Sequence, residues 1–389
     1  MHCRNTTLIL LFLLVTVTCL SAQLQLGGTF NDLHLSASGS PYLLTSDLTI
    51  RRGYSFVIEP GVEIYSQNNS KINCFGSIKA EGTSSAPITF DGGGTTQMLR
   101  VIDGYFASVI KYCHFREGSH VLSVESNYYG TLRIEDCAFT NSKVNVVTNH
   151  GLVLIENSKF LSSELTYQNL DDDGPEGLIV SGSEFYNSTI IGNVYAYDPD
   201  TPFTFPFQLN TSIFRGSRII AEGVGGGKHA YVISNSDIKN CVFNSNGHFG
   251  EIFWCNLTEC EFSNQGLDTA VVGNFYCQQS NLIHCNILGS QRSPSSPAVT
   301  FSGYYCLFVT DSSDTIAPNT LSLSTSSCIG QGSGTGFEAA HLNLSECTIF
   351  GHEVGIKVNS QNHTISSSVT HCNLIRNESF NLINDGALG

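Results

Sequence analysis

A six-residue phrase, Ile134-Glu135-Asp136-Cys137-Ala138-Phe139, returns along the chain with Ile155, Ser158 and Phe160, with Ile238, Cys241 and Phe243, and with Leu257, Cys260 and Phe262 in the same places. With the Cys or Ser taken as position zero, the phrase recurs at residues 113, 137, 158, 183, 212, 241, 260, 285, 306, 328, 347 and 372, at spacings of 19 to 29 residues. A period in the twenties sustained over most of a chain means a solenoid.

Each repeat has an internal code. Position +2 is Phe in eight repeats, from Phe115 to Phe308, and only Gly330 breaks the apolar run. Position −3 is apolar as well, as in Ile110, Ile134, Ile155, Val180 and Leu209. Alternation of period two means strand. Between −3 and zero the alternation slips by one, where Asn, Asp, Glu, Ser and His collect, and a polar break of that kind means a tight corner. Strands that return to one place every twenty-odd residues stack in parallel. Their crossovers take the right-handed form that parallel connections adopt.

The expected fold is therefore all-β: a single-stranded right-handed parallel β-helix of roughly 13–14 rungs with an N-terminal cap. The leucine-rich solenoid has a similar period but needs an L-x-x-L-x-L-x-x-N run that these repeats lack. Residues 1–22 read as a secretory signal peptide, with Arg4 as its charged start, an apolar run from Leu8 to Leu20, and Ala22 as a small residue suited to cleavage. Residues 23–48 are assigned to the cap, because a solenoid's first rung otherwise exposes a strand edge. Residues 49–389 are assigned to the β-helix domain.

The formal net charge is −15, only 13% of residues are charged, and no basic cluster exists. That argues against nucleic acid as a partner. No stretch after the leader is long and apolar enough to span a bilayer. The expected chain is secreted and extracellular. Sequons at Asn68, Asn187, Asn210, Asn256, Asn343, Asn362 and Asn377 mark it as a candidate glycoprotein. Asn256 and Asn343 share position −4, an outward phase, so they are expected on one glycan-bearing face that is not the binding face.

Nine cysteines occupy position zero: Cys113, Cys137, Cys241, Cys260, Cys285, Cys306, Cys328, Cys347 and Cys372. Two readings stand. One is a buried ladder of small apolar thiols. The other is disulfides between adjacent rungs, which strand spacing and a secretory route both permit. No Cys or His spacing suggests a metal site.

Residues 49–94 carry a Pro60-Gly61 turn, the run Gly76-Ser77-Ile78-Lys79-Ala80-Glu81-Gly82-Thr83, and then Pro87-Ile88-Thr89-Phe90. This order resembles the opening rungs of secreted pectin-lyase-like right-handed β-helix proteins, and the later rungs resemble the generic repeat of that superfamily. The resemblance covers roughly residues 45 to 380 and implies the fold; the superfamily's functions are diverse. Its hydrolases use Asn-Thr-Asp, Gly-His-Gly and Arg-Ile-Lys motifs, which this chain lacks; Gly247-His248-Phe249-Gly250 is only an echo. Its lyases carry acidic calcium ligands beside an Arg or Lys base.

The best acidic group here is Asp171, Asp172 and Asp173 with Glu176, followed one repeat later by Asp198 and Asp200. Equal phase on successive rungs places them on one edge, with Tyr195 and Tyr197 beside them as sugar-binding platforms. Such an edge suits calcium, the single cofactor candidate, or a sugar chain. Lys159 and Glu184 share position +1 and are expected to pair across strands on the outside. The missing motifs favour a secreted, non-catalytic β-helix with a binding, adhesive or structural role toward extracellular polysaccharide or surface proteins. The alternative is a polysaccharide lyase-like or glycoside hydrolase-like enzyme that uses the acidic edge.

Overall fold

The computed structural model describes residues 24–384 apart from 96, 103–107, 127–129, 150, 170–176, 195–206, 224–230, 247, 264–272, 289–298, 311–315, 319, 331–334, 340, 353, 359–367 and 376–379. Those residues form a parallel β-helix. Its strands fall into a 25-stranded sheet, a 15-stranded sheet and a 3-stranded sheet, and every strand pairing is parallel. The segment from Leu24 to Leu35, assigned to the cap, is itself strand: Leu24–Phe30 pairs with Tyr42–Ile50, and Leu33–Leu35 with Ser55–Ile58. No helix among the described residues is long and apolar enough to cross a membrane.

Alternation places one residue in two inside the coil, and in-register stacking turns each inward position into a row along the rod. On the 15-stranded sheet the row runs Ile110, Ile134, Ile155, Val180, Leu209, Ile233 and Ile252, all fully buried. On the 25-stranded sheet Phe90, Phe115, Phe139, Phe160, Phe185 and Phe214 stack face to face, with centroids 4.6–5.0 Å apart and rings within 16° of parallel. That spacing is the strand spacing of the coil, about 4.8 Å. Each buried Phe contributes about 1.5–3 kcal/mol of burial and each stacked pair about 0.5–1.5 kcal/mol more.

Each coil turns by a two-part device. One residue adopts the left-handed conformation, and the next points a small side chain inward. The left-handed residues at the first corner run from Tyr112 and Asp136 to Glu346 and His371, all with φ of 47–60°. A second corner lies five residues on, with Asn141, Ser162, Asn187, Gly216, Asn240, Glu259 and His284 in the same conformation. A buried hydroxyl is costly unless bonded, and here it is. Ser158 Oγ accepts from the backbone N–H of Cys137 on the neighbouring coil (3.1 Å) and donates to its own Glu156 carbonyl (3.0 Å). Ser163 repeats the pattern at the second corner, accepting from Ser142 and donating to Leu161. Cys137 and Cys255 make the same short-range bond from sulfur, to Glu135 and Phe253. Cys and Ser interchange because both are small and both satisfy that carbonyl.

The second corner corrects the single ladder expected from the repeat. Phe214 pairs with Ile238, Leu257, Leu282 and Phe308 in turn. The first-corner row after Ser212 is therefore Ser236, Cys255, Ser280 and Cys306. Cys241, Cys260 and Cys285 belong to the second corner, in line with Ser217. Cys328 pairs with Phe308 and stands in the Phe row, while Ser326 takes the corner. Both corners are a small inward residue followed two places later by an apolar one, so Ile-x-x-Cys-x-Phe matches either. The same shift separates Asn256, on the 25-stranded sheet, from Asn343, on the 15-stranded sheet, so they do not share a face. Gly330 therefore lies two places past that row and does not break it, and it is small for a local reason. His352 fills the second corner of the next coil, and a Cβ on Gly330 would lie 2.5 Å from its ring.

Twelve cysteines are described, all as free thiols: eleven buried, and Cys372 partly exposed. Burial raises the Cys74 thiol to about 11 and the Cys255 thiol to about 12, which leaves little reactive thiolate at either. A chain lacking residues 1–22 should therefore titrate twelve thiols in denaturant, with only Cys372 reacting promptly in the native state; a native disulfide, seen as missing thiols, would contradict the ladder. At the first corner Thr211 holds a β-branched side chain at φ 48°, a strained state for any residue but Gly. Thr211→Gly should raise stability by about 0.5–1 kcal/mol, read as a higher urea midpoint.

Candidate functional site

The outer face of the 15-stranded sheet changes character along the rod. Toward the N-terminus its outward residues are charged and paired. Lys79 meets Glu81 at 3.2 Å, Lys111 meets Glu135 at 2.8 Å, and Arg133 bridges Glu135 at 3.0 Å and Glu156 at 3.1 Å. The Lys111 ammonium bonded to Glu135 holds that carboxyl below its ordinary pKa. Lys111 and Glu135 are in cross-strand register, Arg133 reaches Glu156 diagonally, and the other two pairs lie along one strand; all are partly solvated, so they contribute little stability each. The 25-stranded sheet repeats the theme, with Lys159 and Glu184 at 3.2 Å, the outside pair that their shared phase implies.

Toward the C-terminus, past Glu251, the described outward side chains of the 15-stranded sheet carry no Asp, Glu, Lys or Arg. One outward row there is Tyr276, Ser302, Ser322, Asn343 and Ser368; the row beside it is Tyr304, Ser324, Ser345 and Thr370. Small side chains keep the strand surface low, and the two tyrosines stand at one end. The result is a groove of about 320 Å³ lined by twelve residues from five successive coils, none of them Asp, Glu, Lys, Arg or His. At about 4.8 Å per coil, the hydroxyl rows present donors and acceptors at nearly the repeat of a sugar chain. Ser368 Oγ donates to Asn343 Oδ1 at 3.1 Å, which leaves the Asn343 amide nitrogen to face outward partners.

Aromatic rings gather at the same end. Tyr304 and Tyr305 lie 4.1 Å apart between centroids, and Trp254, the only Trp, packs on Phe253 at 5.9 Å. Trp254 is 58% exposed and Tyr305 48%; both occupy the left-handed corner position. Glu251 neighbours Tyr276 in register at the N-terminal end of the row. Burial raises the Glu251 carboxyl pKa. The Tyr276 phenol is also raised, first by burial and then by the negative field of Glu251. The titratable groups of the groove are thus the Tyr276 and Tyr304 phenols that line it and one carboxyl, Glu251, at its margin.

Asp171, Asp172, Asp173, Asp198, Asp200, Tyr195 and Tyr197 lie outside the described residues, as do Asn362 and Asn377. No group of three or more metal-ligating side chains occurs among the described ones. Of the remaining sequons, Asn68 and Asn187 sit exposed at left-handed turns, Asn210 accepts from Ser234 Oγ at 2.9 Å, and Asn256 accepts from Asn281 Nδ2 at 2.8 Å. Asn343 alone of these lines the groove. The buried Cys328–His352 contact, 3.4 Å from Sγ to Nε2, lies inside the rod, where burial lowers the imidazole pKa and keeps the ring neutral. The groove itself did not emerge from the repeat. Its signal is a pair of small uncharged residues at −4 and −2, and taking Cys285 and Cys328 as corners moved two of its five coils out of phase.

Removing the Glu251 charge favours the phenolate of Tyr276, so Glu251→Gln should lower the Tyr276 pKa toward its ordinary value. Tyrosine titration followed by NMR at that ring checks this; an unchanged pKa would mean that the carboxyl does not reach the groove.

No family model matches the chain, and no curated protein matches it. Among solved structures it is similar to the crystal structure of an alginate lyase from Paenibacillus sp. str. FPU-7, at 15% identity over 71% of this chain and 93% of that one, with a TM-score of 0.23. A superposition of that quality transfers no activity, and the β-helix stands on its own strand pairing.

Proposed function

We propose that this chain is an extracellular β-helix rod that binds an extended, uncharged polysaccharide along the groove of the 15-stranded sheet and does not cleave it. The observation that carries this reading is the groove's composition: two tyrosines beside two rows of hydroxyl and amide side chains, with no ionisable Asp, Glu, Lys, Arg or His among twelve lining residues. Aromatic faces supply apolar contact for sugar rings, and convergent small polar groups supply orientation. An acidic polysaccharide needs cations for recognition, and a chain of net charge −15 repels polyanions. The leader and the sequons support a place outside the cell.

A polysaccharide panel, run with and without calcium and read for both retention and released ends, tests the reading. Neutral polysaccharides should be retained without product, and Tyr276→Ala or Tyr304→Ala should each weaken retention about tenfold. Calcium-dependent release of unsaturated ends would instead place a lyase at Asp171, Asp172, Asp173, Asp198 and Asp200.

A further inference from the structure

The sequon Asn343-Leu344-Ser345 lies inside the groove: Asn343 and Ser345 face it, and Leu344 is buried beneath them. The residue that a glycosylating host would modify is therefore a residue that the ligand would touch. We propose that an N-linked glycan on Asn343 closes this groove, so that the modified chain and the ligand-bound chain are mutually exclusive forms. This rests on the groove being the ligand site.

The chemistry of modification is self-consistent. The Asn343 amide nitrogen displaces the diphosphate from the anomeric carbon of a lipid-diphosphate-linked oligosaccharide. A C–N bond forms, the C–O bond to the diphosphate breaks, the nitrogen loses one proton, and the lipid diphosphate leaves. Asn343 is exposed, with Ser368 Oγ on its carbonyl oxygen and its nitrogen free to carry the sugar. The tethered sugar then starts at the fourth of the row's five positions, with Ser322 and Ser302 between it and Tyr276, three coils away. The groove, at about 320 Å³, is at the small end of ligand sites, which run from about 300 to 1,000 Å³. It has no room for a tethered sugar and a ligand together. The described sequons Asn68, Asn187, Asn210 and Asn256 do not line it.

The test compares the chain made in a non-glycosylating bacterial host with the chain secreted from a glycosylating eukaryotic host, with Asn343 occupancy mapped by peptide mass. Each form is treated with a tyrosine-acylating reagent and read peptide by peptide. In the occupied form, acylation at Tyr276 and Tyr304 should fall several-fold, while Tyr54, 39% exposed and remote from the groove, should be unchanged. Ser345→Ala, secreted from the same host, should restore acylation. An unoccupied Asn343, or equal acylation in both forms, overturns the proposal. If shielding is seen but the unmodified form is retained by no polysaccharide, the glycan closure stands and the ligand reading of the groove fails.

Discussion

In-register parallel stacking, held by one left-handed residue at each corner, is the constraint on which this molecule depends. When every coil turns at the same phase, equal positions lie one strand spacing apart, and like side chains meet. Six phenylalanines can then stack from Phe90 to Phe214, and each corner hydroxyl reaches the backbone of the next coil, as Ser158 reaches Cys137. A corner N–H that would otherwise be buried without a partner is satisfied by the neighbouring serine, which links corner geometry to coil stacking. The same spacing puts outward residues in rows, so a binding surface arises wherever several successive coils share an outward chemistry.

Much of this was legible in the sequence. Period and alternation identified the β-helix, the inward Phe and Ile rows, and the outward Lys159–Glu184 pair. What was not legible was which corner a given cysteine occupies. The two corners are five residues apart and chemically alike, so Cys241, Cys260 and Cys285 satisfied the repeat from the wrong side of the coil. Only pairing between coils separates them, and that information lies in the register rather than in any single repeat. Gly330 looked like a defect in the pattern because Cys328 fits the corner position by spacing; with Ser326 at the corner, Cys328 itself holds the apolar row.

The candidate site was less legible than the fold for a related reason. Acidic residues in a long insertion attract attention, whereas serines in the outward phase of a strand read as ordinary solvated surface. The groove becomes visible when Tyr276, Ser302, Ser322, Asn343 and Ser368 are seen to be one row, adjacent to Tyr304, Ser324, Ser345 and Thr370. The contrast with the Lys111, Glu135, Arg133 and Glu156 network on the same sheet gives it meaning. One end of the face is fixed by ion pairs, and the other offers neutral hydrogen-bonding groups and aromatic rings. Asn343 belongs to both descriptions of the chain, as a sequon in the sequence and as a groove residue in the fold.

The most direct measurement is a crystal structure of the unglycosylated chain with a neutral oligosaccharide bound. The account predicts sugar rings against Tyr276 and Tyr304, with hydroxyls bonded to Ser322 and Asn343 and the chain running along the rod axis. Sugar lodged on the 25-stranded sheet, or bound at Asp171 and Asp198, with the groove empty, would contradict it.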